Sequence, residues 1–535
     1  MKRAKNEKII TINLIKTALI VDAVKHLTVG LFFILFICFH FTVNAQTGVF
    51  TLNGGTASES NQTYAATLTD QSAVYVLNSG QLTLTNCTMT KTGDASNVNN
   101  SSQYGINAGV LATTSSTITI TGGSVTTNAL GANGIFATGS GTSISMSNAS
   151  ITASGSSSHG VDVTYGGSIT LDNVNITTGG SNSSALATDF GGGTVTVTGG
   201  TIIASDTASG GHSAGIYSTG TITVTGATVS SSGDCGGVID GANSIILTST
   251  ALTGEVEGIK LWKTAPANGP ATVTITGGSL TATTGDAFYV TGEAGNAATA
   301  NVTMSGGATV TAGTGNIMNV IISSTGSFTA SGDRLTGNFT ADATSTLSIT
   351  LQNSTSLTGN AQNAGITIDA TSTWNVTANS VMTTVIDPSG ISGRNVKNII
   401  GNGHNVHYDS ALTGNQYLGG LTYSLVDGGF LTPGSVTGIE QLQQTATTGE
   451  MLLQNYPNPF TLTTIISYHL FQNDHVTLKV YNQLGIQVEV LVNGYQEAGL
   501  YKVSFDASDL PDGLYYYCLS TGNAVQTRKM VRSER

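Results

Sequence analysis

The sequence predicts an all-β chain, a long right-handed parallel β-helix followed by a small C-terminal antiparallel β-sandwich. Three observations predict it. A strand-length phrase recurs about every 26 residues through the middle of the chain. Glycine numbers 68 and proline 7 in 535 residues, a balance suited to many tight bends but not to collagen or Pro-rich linkers. Charged residues make up 9%, so helical bundles and coiled coils lack the paired charges they are built from.

The phrase appears as STITITGGSV (116–125), TSISMSNASI (142–151), GSITLDNVNI (167–176), GTVTVTGGTI (193–202), GTITVTGATV (220–229), NSIILTSTAL (243–252), ATVTITGGSL (271–280) and ANVTMSGGAT (300–309). Its first apolar residue is Ile118, Ile144, Ile169, Val195, Ile222, Ile245, Val273 and Val302, in steps of 23 to 29. A second stands two positions on: Ile120, Met146, Leu171, Val197, Val224, Leu247, Ile275 and Met304. Thr or Ser separates the two in seven of eight cases, which is the alternation of a strand with one face in and one out. A third apolar set, Val125, Ile151, Ile176, Ile202, Val229, Leu252 and Leu280, follows the anchor by seven residues. A fourth, Ile135, Val161, Leu186, Ile216, Val238, Ile259 and Phe288, follows it by 14 to 21. Each period therefore reads as three short strands with bends between them.

One such unit cannot bury its apolar residues, whereas stacked copies bury a continuous column. Equivalent strands of successive coils pair in parallel, ~4.8 Å apart. Residues 46–434 are expected to form roughly 14 or 15 coils, about 70 Å in length. The right hand is expected because left-handed solenoids usually show a tight hexapeptide repeat, absent here. A propeller needs blades of ~40 residues or more, and the calcium-binding nonapeptide is missing. A row of β-sandwiches is the remaining competitor.

Net charge is −12, unevenly placed. Residues 46–440 hold six basic and twenty acidic residues. A dilute acidic shaft is repelled by phosphate backbones and anionic lipid, so no nucleic acid is expected as partner. Residues 1–45 read as a signal peptide. Lys2, Arg3, Lys5, Lys8, Lys16 and Lys25 surround or precede the approach to an apolar run, Val29–Val43, and Val43-Asn44-Ala45 suits cleavage between Ala45 and Gln46. The run is shorter than the ~20 residues of a spanning helix, the alternative being an uncleaved anchor. No other stretch can span as a helix, so no transmembrane domain is expected after signal removal. Ile37 before Cys38 excludes a lipidation box. Cys87, Cys235 and Cys518 lie far apart without CxxC spacing, which predicts buried small hydrophobes rather than zinc or a disulfide framework.

From about residue 320 the period loosens. Trp374, Tyr408, Leu418 and Tyr423 give the stretch to Gly434 a likeness to the C-terminal end of autotransporter and adhesin-like β-helical passengers, where a Trp-bearing coil precedes a cap. A last coil needs one, since it bares a strand edge. A membrane barrel would need at least eight strands of ~10 residues, and the remaining residues read otherwise.

Residues 435–450 are a polar linker, and 451–535 form the last domain. Val476, Leu478 and Val480 alternate, as do Val503 and Phe505, with turns at 482–485 and 510–513, which predicts a small β-sandwich. The motif residues run in order: Asn455-Tyr456-Pro457-Asn458-Pro459-Phe460, Tyr481 with Gly485, Gly494-Tyr495-Gln496, Ala498-Gly499, Phe505 to Leu510, Gly513-Leu514-Tyr515 and Lys529-Met530-Val531. Over about 452–531 they closely resemble the type A C-terminal sorting domain of the type IX secretion system of Bacteroidetes-like bacteria. Thr461-Leu462, where relatives often have Asn-Pro, and Cys518 depart from it. The resemblance implies the type IX secretion machinery as partner and a protein released from, or held at, the outer-membrane surface of a Gram-negative bacterium.

Candidate chemistry is thin. A lyase on a pectate-lyase-like β-helix needs a Lys or Arg base, usually with Ca²⁺ held by clustered carboxylates. The densest charge cluster is EVEGIKLWK, with Glu255, Glu257, Lys260 and Lys263 around Trp262, which can stack on a sugar; a solvated outer loop is the expectation. A glycosidase needs two carboxylates at defined separation, whereas Asp162, Asp172, Asp189, Asp206, Asp234 and Asp240 lie singly on successive coils. His404 and His407, near Asp409, would face opposite sides of a strand. No catalytic, cofactor-binding or metal residue is therefore expected, and no cofactor. Thr119, Thr170, Thr196, Thr223, Thr274 and Thr303 would line one outward face.

The expected function is that of a non-enzymatic adhesin, structural or glycan-contacting rod, with an extracellular glycan or surface receptor as partner. A polysaccharide lyase or hydrolase is the alternative, and an ice- or water-binding solenoid a third.

Overall fold

Inward hydrocarbon columns and outward hydroxyls organise the chain as the repeat requires. The structure, a computed structural model, describes residues 46–434 and 452–533 save 207–212, 266–268, 294, 453, 456–457, 471–472, 497–498 and 523–524. It is a parallel β-solenoid of about 14 turns with antiparallel sheets at the C-terminal end. The expected signal peptide with Ala45, and the linker, lie outside the described residues; Gln46 is the first of them. The chain divides into two units, Met1–Tyr289 with Ala312–Thr314, and Val290–Thr311 with Gly315–Arg535.

In the first unit each coil has three strands, for example Thr117–Thr121, Ser124–Thr127 and Ile135–Thr138. The anchors pair in sequence from Ile118 through Ile144, Ile169, Val195, Ile222 and Ile245 to Val273. The third set pairs likewise from Val125 to Leu280. All are buried, each side chain withdrawn from water contributing roughly 1.5–3 kcal/mol. The bend between the first two strands takes glycine in some coils and Ala149 or Val174 in others; where it is glycine the coils approach closely. Gly123 has φ 80°, and a Cβ there would lie 2.0 Å from the Cys87 carbonyl oxygen.

The fourth set holds with one correction. Ile135, Val161, Leu186 and Ile216 stack inward, but the next member is Gly237, not Val238. Ile245 and Ile259 fill the space a side chain at 237 would take, so Val238 turns outward in line with Tyr217 and Lys260. The outward threonines stand in register, with Ser145 and Ile246 interrupting the row. Lys91 is a charged residue on an inward face, as Glu59, in register with Leu84, is in the first coil. Lys91 is in register with Thr127 and donates from Nζ to the Leu68 carbonyl at 2.6 Å.

One insertion breaks the period. Residues 92–109 replace a link that in the next coil spans only 128–134. It folds as the helix Val98–Tyr104, begun by Asn97, whose side chain accepts from the Asn100 N–H, and ended by left-handed Gly105.

The second unit continues in shortening coils. Thr299 pairs with Thr325, Thr325 with Thr346, and Ile349 with Ile366, steps of 26, 21 and 17. This shrinkage is why the sequence period loosens. Phe328 and Phe339, edge to face at 4.9 Å, fill the interior. Trp374 is buried and donates from Nε1 to the Gly359 carbonyl. At the end the chain turns antiparallel, with Tyr423 opposite Leu431. Tyr408 and Tyr423 donate their hydroxyls to the Leu421 and Leu418 carbonyls, so the four residues expected to mark the cap are its buried parts.

The last 80 or so residues form the expected sandwich. Thr463–Leu470 pairs with Gly499–Asp506, and a four-stranded sheet orders Gln487–Gln496, Asp474–Asn482, Gly513–Ser520 and Val525–Arg532. Cys87 and Cys235 are buried and Cys518 half-buried, all three free.

Candidate functional site

The site begins with one position per coil, two residues before the third strand. Asn133, His159, Ser184, Ala214, Cys235, Glu257 and Asp286 occupy it, and the carbonyl of each accepts an N–H from the preceding coil, as His159 does from Gly134 and Ser184 from Gly160. Several side chains there accept an N–H from the same position one coil on. Asn133 Oδ1 accepts from His159 at 2.7 Å, His159 Nδ1 from Ser184 at 2.9 Å, and Glu257 Oε2 from Asp286. In three coils the position carries such an acceptor, which places histidine and glutamate at equivalent points, while Ala214 has none and the Cys235 N–H donates to Asp234 Oδ1 instead.

Beyond it, the third strands turn one column of side chains outward: Phe136, Asp162, Ala187, Tyr217, Val238 and Lys260. Two residues further, Thr164 pairs with Asp189 and Asp240 with Trp262. The inserted helix covers part of this face, Thr164 Oγ1 donating to the Gln103 carbonyl at 3.1 Å. What remains is a cavity of about 580 Å³ lined by His159, Asp189, Tyr217, Glu257, Lys260 and Trp262, among others. EVEGIKLWK is thus a wall of a cavity rather than the solvated loop expected. Lys260 Nζ lies 3.9 Å from the Trp262 ring centre, a cation–π contact that occupies one face of the indole.

Asp162 and Asp189, expected to lie singly, come together. One ligand atom each of His159, Asp162 and Asp189 falls within 4.8 Å of the others. His404 and His407 are not part of this group. The geometry invites a metal, but the ladder argues otherwise. His159 Nδ1 accepts the Ser184 N–H, so in the neutral ring the proton sits on Nε2. That atom points at Asp189 Oδ2, 3.8 Å away, as a donor, and has no lone pair to offer a metal.

The group is better suited to holding a proton. Asp162 is fully buried, and neither of its oxygens has a hydrogen-bond partner among the described residues; a bare anion there is costly. Burial, and after it the Asp189 charge, holds the Asp162 carboxyl well above the usual range. Burial and then Asp240 push Asp189 up to about 7. Burial and then Asp286 raise Glu257 to about 7. Burial lowers His159 to about 4, keeping the ring neutral. Burial also raises the Cys235 thiol, leaving it protonated and inert. The cavity therefore presents two carboxyls, Asp189 and Glu257, poised between charged and neutral at physiological pH. Tyr217 and Trp262 supply aromatic surface. The spacing of single aspartates carried no signal of this pairing, since Asp162 and Asp189 are 27 residues apart and only the register of the coils aligns them.

The second site is the terminal domain. Asn455 is buried, donating its N–H to the Tyr517 hydroxyl and Nδ2 to Thr464 Oγ1. Asn458 Oδ1 accepts the Val531 N–H. Phe460 pairs through its backbone with Val531 and packs edge to face on Phe505 at 6.2 Å. Gly485, φ 76°, closes the turn that Asn482 caps with its side chain. Tyr515 donates to the Pro511 carbonyl. Tyr481 and Lys529 lie opposite Tyr516 on the two strands that flank it, with Lys529 exposed. The motif thus joins the segment before the first strand to the last strand. Tyr456 and Pro457 lie outside the described residues, and Gly499 and Gly513 begin strands.

Residues 454–533 match the family model of the secretion system C-terminal sorting domain. No curated protein matches the chain. No helix among the described residues is long and apolar enough to cross a membrane. A type IX sorting tail implies a secreted or cell-surface protein.

Proposed function

We propose that this protein is exported by the type IX machinery to the outer-membrane surface of a Gram-negative bacterium, and there acts as an adhesin-like solenoid that binds a neutral glycan in its lateral cavity. The observation that carries the reading is the joining of Tyr217 and Trp262 to Asp189 and Glu257 in one cavity of about 580 Å³. Aromatic faces suit the C–H faces of sugars, and carboxyls suit their hydroxyls. The acidic lining disfavours polyuronates and phosphorylated ligands. Binding without cleavage is favoured because Lys260, a basic group in the cavity, is engaged over Trp262.

A second reading has its own support. Asp189 and Glu257 line one cavity, and a pair of carboxyls is the equipment of acid–base glycoside hydrolysis. A panel of neutral and uronic polysaccharides, incubated with the full exported chain, tests both. Saturable binding of a neutral glycan without new reducing ends supports the lectin-like reading. New reducing ends replace it with the hydrolase. Failure to bind any neutral glycan overturns it.

A further inference from the structure

Two corners on adjacent coils carry aromatic residues in a backbone conformation that such residues avoid. Thr164 and Asp189 are ladder partners, so Tyr165 and Phe190 occupy the same corner one coil apart. The Tyr165 N–H donates to the Phe190 carbonyl at 3.2 Å. Their φ values are 50° and 35°. The equivalent residue of the preceding coil is Gly139, φ 93°, the residue type this conformation favours. Left-handed backbone strains any residue with a Cβ and is a marked outlier for a bulky one.

The rings do not recover this cost by burial. Tyr165 is 41% and Phe190 43% exposed. Tyr104, at the end of the inserted helix and 46% exposed, stacks on Tyr165 with ring centres 6.0 Å apart and planes within 17°. Gln103 Nε2 donates to the Tyr165 hydroxyl. The row is close to the cavity along the chain: Asp189, which lines it, directly precedes Phe190, and Ser102, which also lines it, lies two residues before Tyr104. Such strain persists where the surrounding structure over-determines it, and ligand-binding sites are among the places it collects.

We propose that Tyr104, Tyr165 and Phe190 form an aromatic rail that extends the cavity into a groove for a neutral glycan chain, so that the protein reads several consecutive sugars rather than a terminal unit. The proposal rests on the glycan reading of the cavity and adds to it the length and internal position of the ligand. Tyr165 and Phe190 stand on adjacent coils, one rise of about 4.8 Å apart, and Tyr104 lengthens the row from the inserted helix. The nearby carboxyls and the absence of charge on the rail itself fix the ligand class as uncharged.

The test compares the full exported chain with its Y165G/F190G double variant by calorimetry, using cello-, xylo- and laminari-oligosaccharides of two and six residues. Glycine relieves both corners, so the variant is expected to melt no lower than wild type, and lost binding then cannot be attributed to misfolding. For one linkage, wild type is expected to bind the hexasaccharide about tenfold or more tighter than the disaccharide. In the variant that advantage should fall to about twofold with disaccharide affinity unchanged. A length advantage that survives in the variant overturns the rail while leaving the glycan reading intact. Equal affinity of wild type for both lengths does the same. No binding of any of the six sugars overturns the rail, and the panel of polysaccharides then decides the broader reading. If the double variant melts below wild type, F190G alone is compared in its place, with the same outcomes decisive.

Discussion

Ser184 donates its backbone N–H to Nδ1 of His159 across 2.9 Å, both residues buried. That bond fixes the imidazole tautomer and aims Nε2–H at Asp189. It also gives the buried Ser184 N–H its partner at position 159. His159→Leu should orphan the Ser184 N–H and cost about 1–3 kcal/mol. His159→Asn reproduces what Asn133 does one coil earlier and should cost less. Urea unfolding and amide exchange at Ser184 check the pair; equal losses in both variants would show that the acceptor does not matter.

Asp189 should make stability fall with rising pH. Its folded value, about 7, lies above the ordinary 3.8. Its contribution is therefore fully present below about pH 4 and is lost as pH rises through about 7. Asp189→Asn should flatten that part of the profile and be the more stable protein at pH 8, by on the order of 2 kcal/mol. Melting temperatures of the two proteins at pH 5 and pH 8 decide it, and parallel profiles would refute it.

Lys91 works in the opposite range. Burial depresses it from 10.5 to about 8, against the pull of Asp70 and Asp94. The folded chain then binds this proton less well than the unfolded chain, so stability should rise between about pH 8 and 10.5. Lys91→Met, which keeps the stem and removes the charge, should be neutral or stabilising at pH 7 and should lose that rise. Marked destabilisation at pH 7 would mean that the bond to the Leu68 carbonyl outweighs the buried charge.

Phe460→Ala should damage both the terminal domain and delivery. The ring is buried between the motif segment and Phe505, and its removal should cost about 3–5 kcal/mol. The exported fraction in a type IX-competent host should drop accordingly. Full export of a variant whose terminal domain has unfolded would show that the motif acts as linear sequence rather than as structure.

Much of the fold was legible because hydrophobic periodicity and burial are the same fact seen twice. Ile118 and its six successors pair as their spacing requires. Val238 misled because a glycine gives no side chain to mark an inward position. The site was hidden for a different reason. Asp162 and Asp189 meet only through the register of two coils, and each looks like an ordinary surface aspartate in its own phrase. The inserted helix has no apolar periodicity to announce that it covers a face. Coil lengths of 21 and 17 in the second unit erased the period just where the sequence became hard to parse.

The turned-in end of the solenoid has a consequence for solutions crowded with this protein. Tyr423–Val426 has partners in Asn395–Ile400 on one side and Phe430–Pro433 on the other, and Phe430–Pro433 is flanked in turn by Val406–Tyr408. Neither strand offers a ledge onto which another molecule's first coil could dock. Head-to-tail polymerisation needs two matching ledges, so closing one suffices to keep a shaft made of amyloid-like ladders from growing into a fibril.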